Sequence, residues 1–337
     1  MQAQNPPLRR FTESRPAMGS SFTIHLYAED QARAARLMEM AFDEIERVEE
    51  ELSNYRAGSE LSRINRLAAQ QAVTTDGEVF GLLRLSLDYS RRSDGAFDIT
   101  VGPLMRAWGF FRGEGRYPKP EELAAARAAT GWRNVILDEQ NRTVRFTRAG
   151  VELDPGGIGK GYAVDRVIGL LREAGVQSAL VDAASSSMAA MGTPPGEPGW
   201  LVHVPRPGNR AQFISSVLLR DNALTTSGNY EKFFRIGDRT YCHIMDPRTG
   251  QPVQGVLQAT VVTPDATSGE ALSKVAFVLG PERGRQFLET VPGARALWVV
   301  GEAAAPRTVA WKWQRSAPAA GATGARSVEP HGRPYSF

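Results

Sequence analysis

The chain has 337 residues, 42% of them hydrophobic and 23% charged, a balance that suits a soluble globular protein with one large core or two lobes. A formal net charge of +3 without any run of Lys or Arg argues against a nucleic-acid partner, and no apolar run is long enough to span a membrane. Cys242 is the single cysteine, which excludes an internal disulfide and a thiolate zinc site, and His25, His203, His243 and His331 lack the spacing of a helical ligand pair.

In chain order, residues 1–16 read as a polar, proline-bearing extended arm with no apolar export segment and no cysteine to lipidate. As written, this predicts a cytoplasmic protein, or a periplasmic one if the N-terminus is incomplete. Phe22, Ile24 and Leu26 alternate with polar neighbours and predict a half-buried strand. From Gln31 to Leu52 the apolar positions fall on one face of a long helix, and a second apolar helix covers Glu78–Arg91. The polar loop between them holds Ser59, a cap for a short following helix. Ser93–Phe110 reads as a strand-like piece interrupted by Gly95, Gly102 and Pro103. A helix over 118–131 and a hairpin over Asn134–Phe146 come next.

The stretch Leu153–Asp165, LDPGGIGKGYAVD, sets Gly156, Gly157, Gly159 and Gly161 around Lys160 just ahead of an amphipathic helix. Glycine permits positive φ and close backbone approach, and a helix N-terminus suits a phosphate. A tight strand-to-helix turn with no ligand accounts for the same residues. Strands follow at Ser178–Asp182, Leu201–Val204, Phe213–Leu219, Ala223–Thr226 and Gln258–Thr263, then helices at Ser268–Val278 and Glu282–Thr290 and a last strand at Arg295–Val300. Residues 17–315 form the folded domain, and 316–337 read as a disordered tail rich in Ala, Gly and Pro. Short strands mixed with helices make the fold α+β.

Six segments in order resemble the ApbE-type FAD:protein FMN transferases: PAMGSSF at Pro16–Phe22, LSNYRAGSELSRIN, DGAFDITVGPLMRAWGF, LDPGGIGKGYAVD, TTSGNYEKFF with YCHIMDPRTGQPV, and SGEALSKVAFVLG. The resemblance implies a two-lobed fold with FAD in the cleft. It also implies transfer of FMN from FAD, with Mg²⁺, to a Thr or Ser hydroxyl of an acceptor flavoprotein. By its pattern, Met18, Tyr55, Ala96, Phe97, Asp98, Gly156, Lys160, Tyr162 and Met245 lie at FAD, while Gly159, Glu270 and Ser273 face the metal. Each has a plainer role open to it: core packing for Met18, a turn cap for Asp98. Asp165 either orients Lys160 or the preceding turn, or is a solvated helix residue. His243 and Asp246 are the candidates for removing the acceptor's proton, although the Asp-Pro-Arg-Thr-Gly run also makes an ordinary turn.

Two places depart from the pattern. Glu270 stands where the family has Asp, and Lys274, a candidate catalytic cation, stands where it has Thr. A protonated lysine ligates no metal, and its pairing with Glu270 would place one positive charge where the cation belongs. Ala184 and Ser185 replace two glycines common in the family. The alternative function is therefore FAD binding with a degenerate metal site, without transfer or with hydrolysis of FAD to FMN and AMP.

Overall fold

The long helix α1 (Gln31–Leu52) buries Ala34, Leu37, Met38, Ala41, Phe42, Ile45, Val48 and Leu52 along one stripe and starts at Asp30, whose carboxylate accepts the Arg33 amide. The computed structural model describes residues 7–111, 113, 115–237 and 239–314. The predicted tail, 316–337, lies outside them, as do the first six residues of the arm. The other helices are α2 (Glu60–Leu67), capped by Ser59, α3 (Gly77–Arg92), α4 (Gly102–Ala107), α5 (Pro120–Ala129), α6 (Gly159–Glu173) and α7 (Ala266–Leu288). Gly280, at φ 71°, and Pro281 kink α7 where the sequence predicts two helices.

An eight-stranded sheet runs in the spatial order Arg9–Ala17, Ser20–Ala28, Ala179–Ala183, Ser187–Met191, Asn222–Gly228, Val256–Thr263, Arg295–Glu302 and Ala305–Trp311. Helices α1, α6 and α7 cover one face around a core that includes Phe22, Ile24, Ile45, Val167, Leu272 and Trp298. The hairpin Trp200–Arg206/Asn209–Leu219 covers part of the other, over Leu180, Met188 and Leu224. A third cluster, with Leu104, Trp108, Phe110, Tyr241 and Met245, packs α4 and α5 against the small hairpins at 233–242 and 245–252. The mixed α+β architecture matches the sequence expectation.

Several stretches differ from the sequence reading. Residues 9–17 are an edge strand paired along its length with Ser20–Ala28, not a separate arm. Ser93–Phe110 is not a strand: Gly95, at φ 76°, turns the chain, and Pro103 fits the first turn of α4. Ala305–Trp311 adds an edge strand beyond the expected last one, and the apolar run Ser187–Met191 is a fully buried strand.

Candidate functional site

Two hairpin tips meet the first turn of α6. Met18 and Gly19, at φ 51° and 65°, join the first two strands as a type I′ pair, and Ala184 and Ser185, at φ 52° and 61°, close the hairpin after Ala183. These are the residues that replace two glycines, and both hold the left-handed backbone that glycine adopts without strain. The Met18 amide donates to Glu49 Oε2 at 2.8 Å, and Ser186, next in the second tip, accepts a 2.6 Å hydrogen bond from Lys160 Nζ.

None of the four glycines of the 153–165 stretch has positive φ. They are there for close approach. A Cβ on Gly161 would stand 2.2 Å from the Ala266 carbonyl oxygen, where α6 crosses α7. On Gly157 it would stand 3.1 Å from the Phe97 ring and 3.7 Å from Lys274 Cγ. The turn thus lies between the Phe97 ring and the stem of Lys274, and the Met18 methyl approaches Gly159. Ile158 supplies no side-chain cap, so the positive end of α6 has no side-chain acceptor there.

His243 comes to the same place from the 239–242 strand. Its Nδ1 lies 3.2 Å from the Lys232 carbonyl oxygen. A carbonyl only accepts, so Nδ1 carries the hydrogen and Nε2 keeps its lone pair. Burial, with the Lys274 ammonium nearby, lowers the His243 pKa to about 4, which leaves the imidazole neutral at pH 7. Burial also lowers the Lys274 pKa, opposed by the Glu270 carboxylate and reinforced by Lys160.

The remaining sequence candidates divide. Tyr55 stacks on Phe111 with ring centroids 4.8 Å apart, and the Arg106 guanidinium lies 3.7 Å from the Phe111 centroid on the cleft rim. Ala96 and Phe97 are buried, and Met245 packs in the small-lobe core beside Trp108. Asp98 acts as the turn cap: it accepts from the Thr100 amide and hydroxyl and from the Trp132 amide. Tyr162 points away from Lys160, and its hydroxyl donates to Glu78 at 2.5 Å within the Arg47–Glu44–Arg166 network. Asp165 neither orients Lys160 nor faces solvent. It accepts from the Ala266 and Thr267 amides and the Thr267 hydroxyl at the start of α7, and burial raises its pKa to about 6. Asp246 is engaged by Arg248 through two 2.8 Å contacts, which leaves His243 as the open base.

The side chains expected to face a cation are placed as follows. Ser273 Oγ is fully buried and already bonded to Ser227 Oγ and the Glu270 carbonyl. Glu270 is 2% exposed, with Oε2 lacking a partner. Lys274 stands one turn along the same face of α7, and its charge repels a dication there. Among the described residues, no group of three or more His, Cys, Asp or Glu side chains could hold a metal. The expected Lys274–Glu270 ion pair also does not form: the ammonium has Glu270 in its field but no hydrogen-bond partner among the described residues.

Three residues outside the candidate set belong to the cleft. Asp154 accepts the Gly156 amide at 2.8 Å with Lys232 and Arg106 nearby, Ser186 holds Lys160, and Lys232 orients His243 through its carbonyl. Asp154 was legible as the Asx residue of Asp-Pro-Gly-Gly. Nothing in the sequence pairs Ser186 with Lys160 across 26 residues.

Comparison with known proteins gives a consistent result. The ApbE family profile matches residues 18–298. A FAD:protein FMN transferase of Klebsiella pneumoniae (strain 342) is 34% identical over 294 residues, covering 86% of this chain and 89% of the relative. One from Treponema pallidum (strain Nichols) is 29% identical over 308 residues, 87% of this chain and 85% of its own. The crystal structure of the ApbE protein of Thermotoga maritima superposes with a TM-score of 0.82 at 30% identity, over 90% of this chain and 97% of that one. The apo flavinyl transferase ApbE of Pseudomonas stutzeri gives 0.80 at 32% identity, over 90% and 95%.

Proposed function

The chain belongs to the ApbE family, and from that membership we propose that it is a FAD:protein FMN transferase that moves FMN from FAD to a Thr or Ser hydroxyl of an acceptor flavoprotein and releases AMP. The observation that carries this reading is a helix start without a side-chain cap, at Lys160, with a neutral His243 in the field of Lys160 and Lys274. The amides and Lys160 hold the FAD pyrophosphate. Met18 and Tyr55 offer a thioether and an aromatic face to the flat rings of FAD, and Phe97 backs the turn at Gly157. As the acceptor oxygen bonds to the FMN phosphorus, the bond from that phosphorus to the AMP oxygen breaks. His243 Nε2 takes the hydroxyl proton, and AMP leaves with the bonding pair. Fixed positive charge stabilises the negative charge that builds on the phosphoryl oxygens.

Among the described residues, no helix is long and apolar enough to cross a membrane. The test is to incubate the protein with FAD and an acceptor protein bearing the target threonine. Covalent, fluorescent acceptor with an equal amount of AMP is expected. FAD binding without labelled acceptor or AMP overturns the reading, and FMN plus AMP without labelled acceptor replaces transfer by hydrolysis.

A further inference from the structure

We propose that this site works without a divalent metal, the Lys274 ammonium being the fixed cation that meets the FAD pyrophosphate beside Lys160; the inference rests on the cleft being the FAD site. Glu270 and Lys274 are four residues apart on α7 and therefore share a face. The Lys274 stem lies over Gly157, so the side chain runs along the same turn whose helix presents its amides to the phosphates. Among the described residues nothing hydrogen-bonds its ammonium, so its donors remain available to an anion.

Of the two side-chain oxygen donors expected at a metal, one is committed and the other lies beside a cation. Ser273 Oγ has two partners, and Glu270 offers one buried oxygen in the field of a lysine. Glu270 stays out of direct contact and offsets part of the lysine charge without occupying its donors. His243 lies in the field of both Lys274 and Lys160. A pyrophosphate on the turn ahead of α6 finds cations supplied wholly by the chain.

Equilibrium FAD binding, followed by flavin fluorescence, and Mn²⁺ binding, followed by electron paramagnetic resonance, test this without an acceptor. Exchanging Mg²⁺ for EDTA is expected to change the wild-type FAD Kd by less than about twofold, and FAD-loaded protein is expected to bind no more Mn²⁺ than the same FAD free in solution. Lys274→Met is expected to weaken FAD binding about tenfold or more, with most of it restored in Lys274→Arg. Lys274→Thr, which removes the repelling charge beside Glu270, is expected to gain Mn²⁺ binding in the presence of FAD. One Mn²⁺ per FAD-loaded wild-type protein, loss of FAD binding in EDTA, or an unchanged Kd in Lys274→Met overturns the proposal. Thermal melts verify each variant's fold, and if Lys274→Met does not fold, the wild-type metal measurements decide. Absence of labelled acceptor, by contrast, sinks transfer and leaves these readouts intact.

Discussion

Helix α6 has two faces with opposite habits. On the cleft side, its first amides have no side-chain cap, and Lys160 makes a single 2.6 Å hydrogen bond to Ser186. On the other side, Asp165 takes three hydrogen bonds from the start of α7, and Tyr162 is bound into a network of two arginines and three glutamates. Lys160 and Tyr162 are two residues apart, which is about 200° around a helix. One short motif therefore leaves donors open on one face and anchors α1, α3 and α7 with the other. Saturated hydrogen bonding fixes the frame on that second face.

The widest separation between the two roles is expected at His243. His243→Ala should slow acceptor labelling by about 10²–10⁴-fold while FAD affinity changes little. A parallel loss of FAD binding would show that the imidazole positions the flavin instead. The wild-type rate should persist on acidification until the pH nears the His243 pKa of about 4.

His25 gives the structural counterpart. Burial, with Arg10 nearby, lowers its pKa from 6.5 to about 4. Between these values the unfolded chain binds more protons than the native one, so stability falls as pH drops from 6.5 towards 4. This single group contributes a loss of about 3 kcal/mol across that window. Urea unfolding should show His25→Gln losing that much less than wild type over the same range, and equal losses would remove His25 as the cause.

Asp165→Ala should cost about 2 kcal/mol of stability by leaving the Ala266 and Thr267 amides at the start of α7 without their acceptor. Chemical denaturation measures the cost, and FAD affinity per folded molecule should hold, since Asp165 does not face the cleft. The smallest change is expected at the strained tip: Ala184→Gly should raise stability by about 0.5–1 kcal/mol, visible as a higher melting temperature, because glycine removes the penalty of φ 52°.

Helices α1, α3 and α6 were readable because each carries an apolar stripe with a helical period over four turns or more. The strained pair at 184 and 185 was readable as a substitution for glycine and takes the backbone that glycine would. The reading missed where a local signal has two meanings. The glycines at 156–161 looked like turn residues, yet what they provide is room for Phe97, Lys274 and the Ala266 carbonyl. Ser187–Met191 lacks alternation because it is buried on both faces, and Tyr162 looked like a flavin contact because sequence order does not say which way a helix is rotated.

The sequence by itself determined the family pattern, the main helices, the glycines and lysine of the 153–165 turn, and the presence of Lys274 four residues after Glu270. These are local or compositional facts, carried by residue identity and spacing. Only the tertiary structure decided that His243 holds its hydrogen on Nδ1, that Asp165 and Asp246 are consumed by other groups, and that Glu270 keeps a buried oxygen without a partner beside an unengaged Lys274. Those outcomes depend on which polar groups meet across long stretches of chain, and pairing across such distances is set by packing.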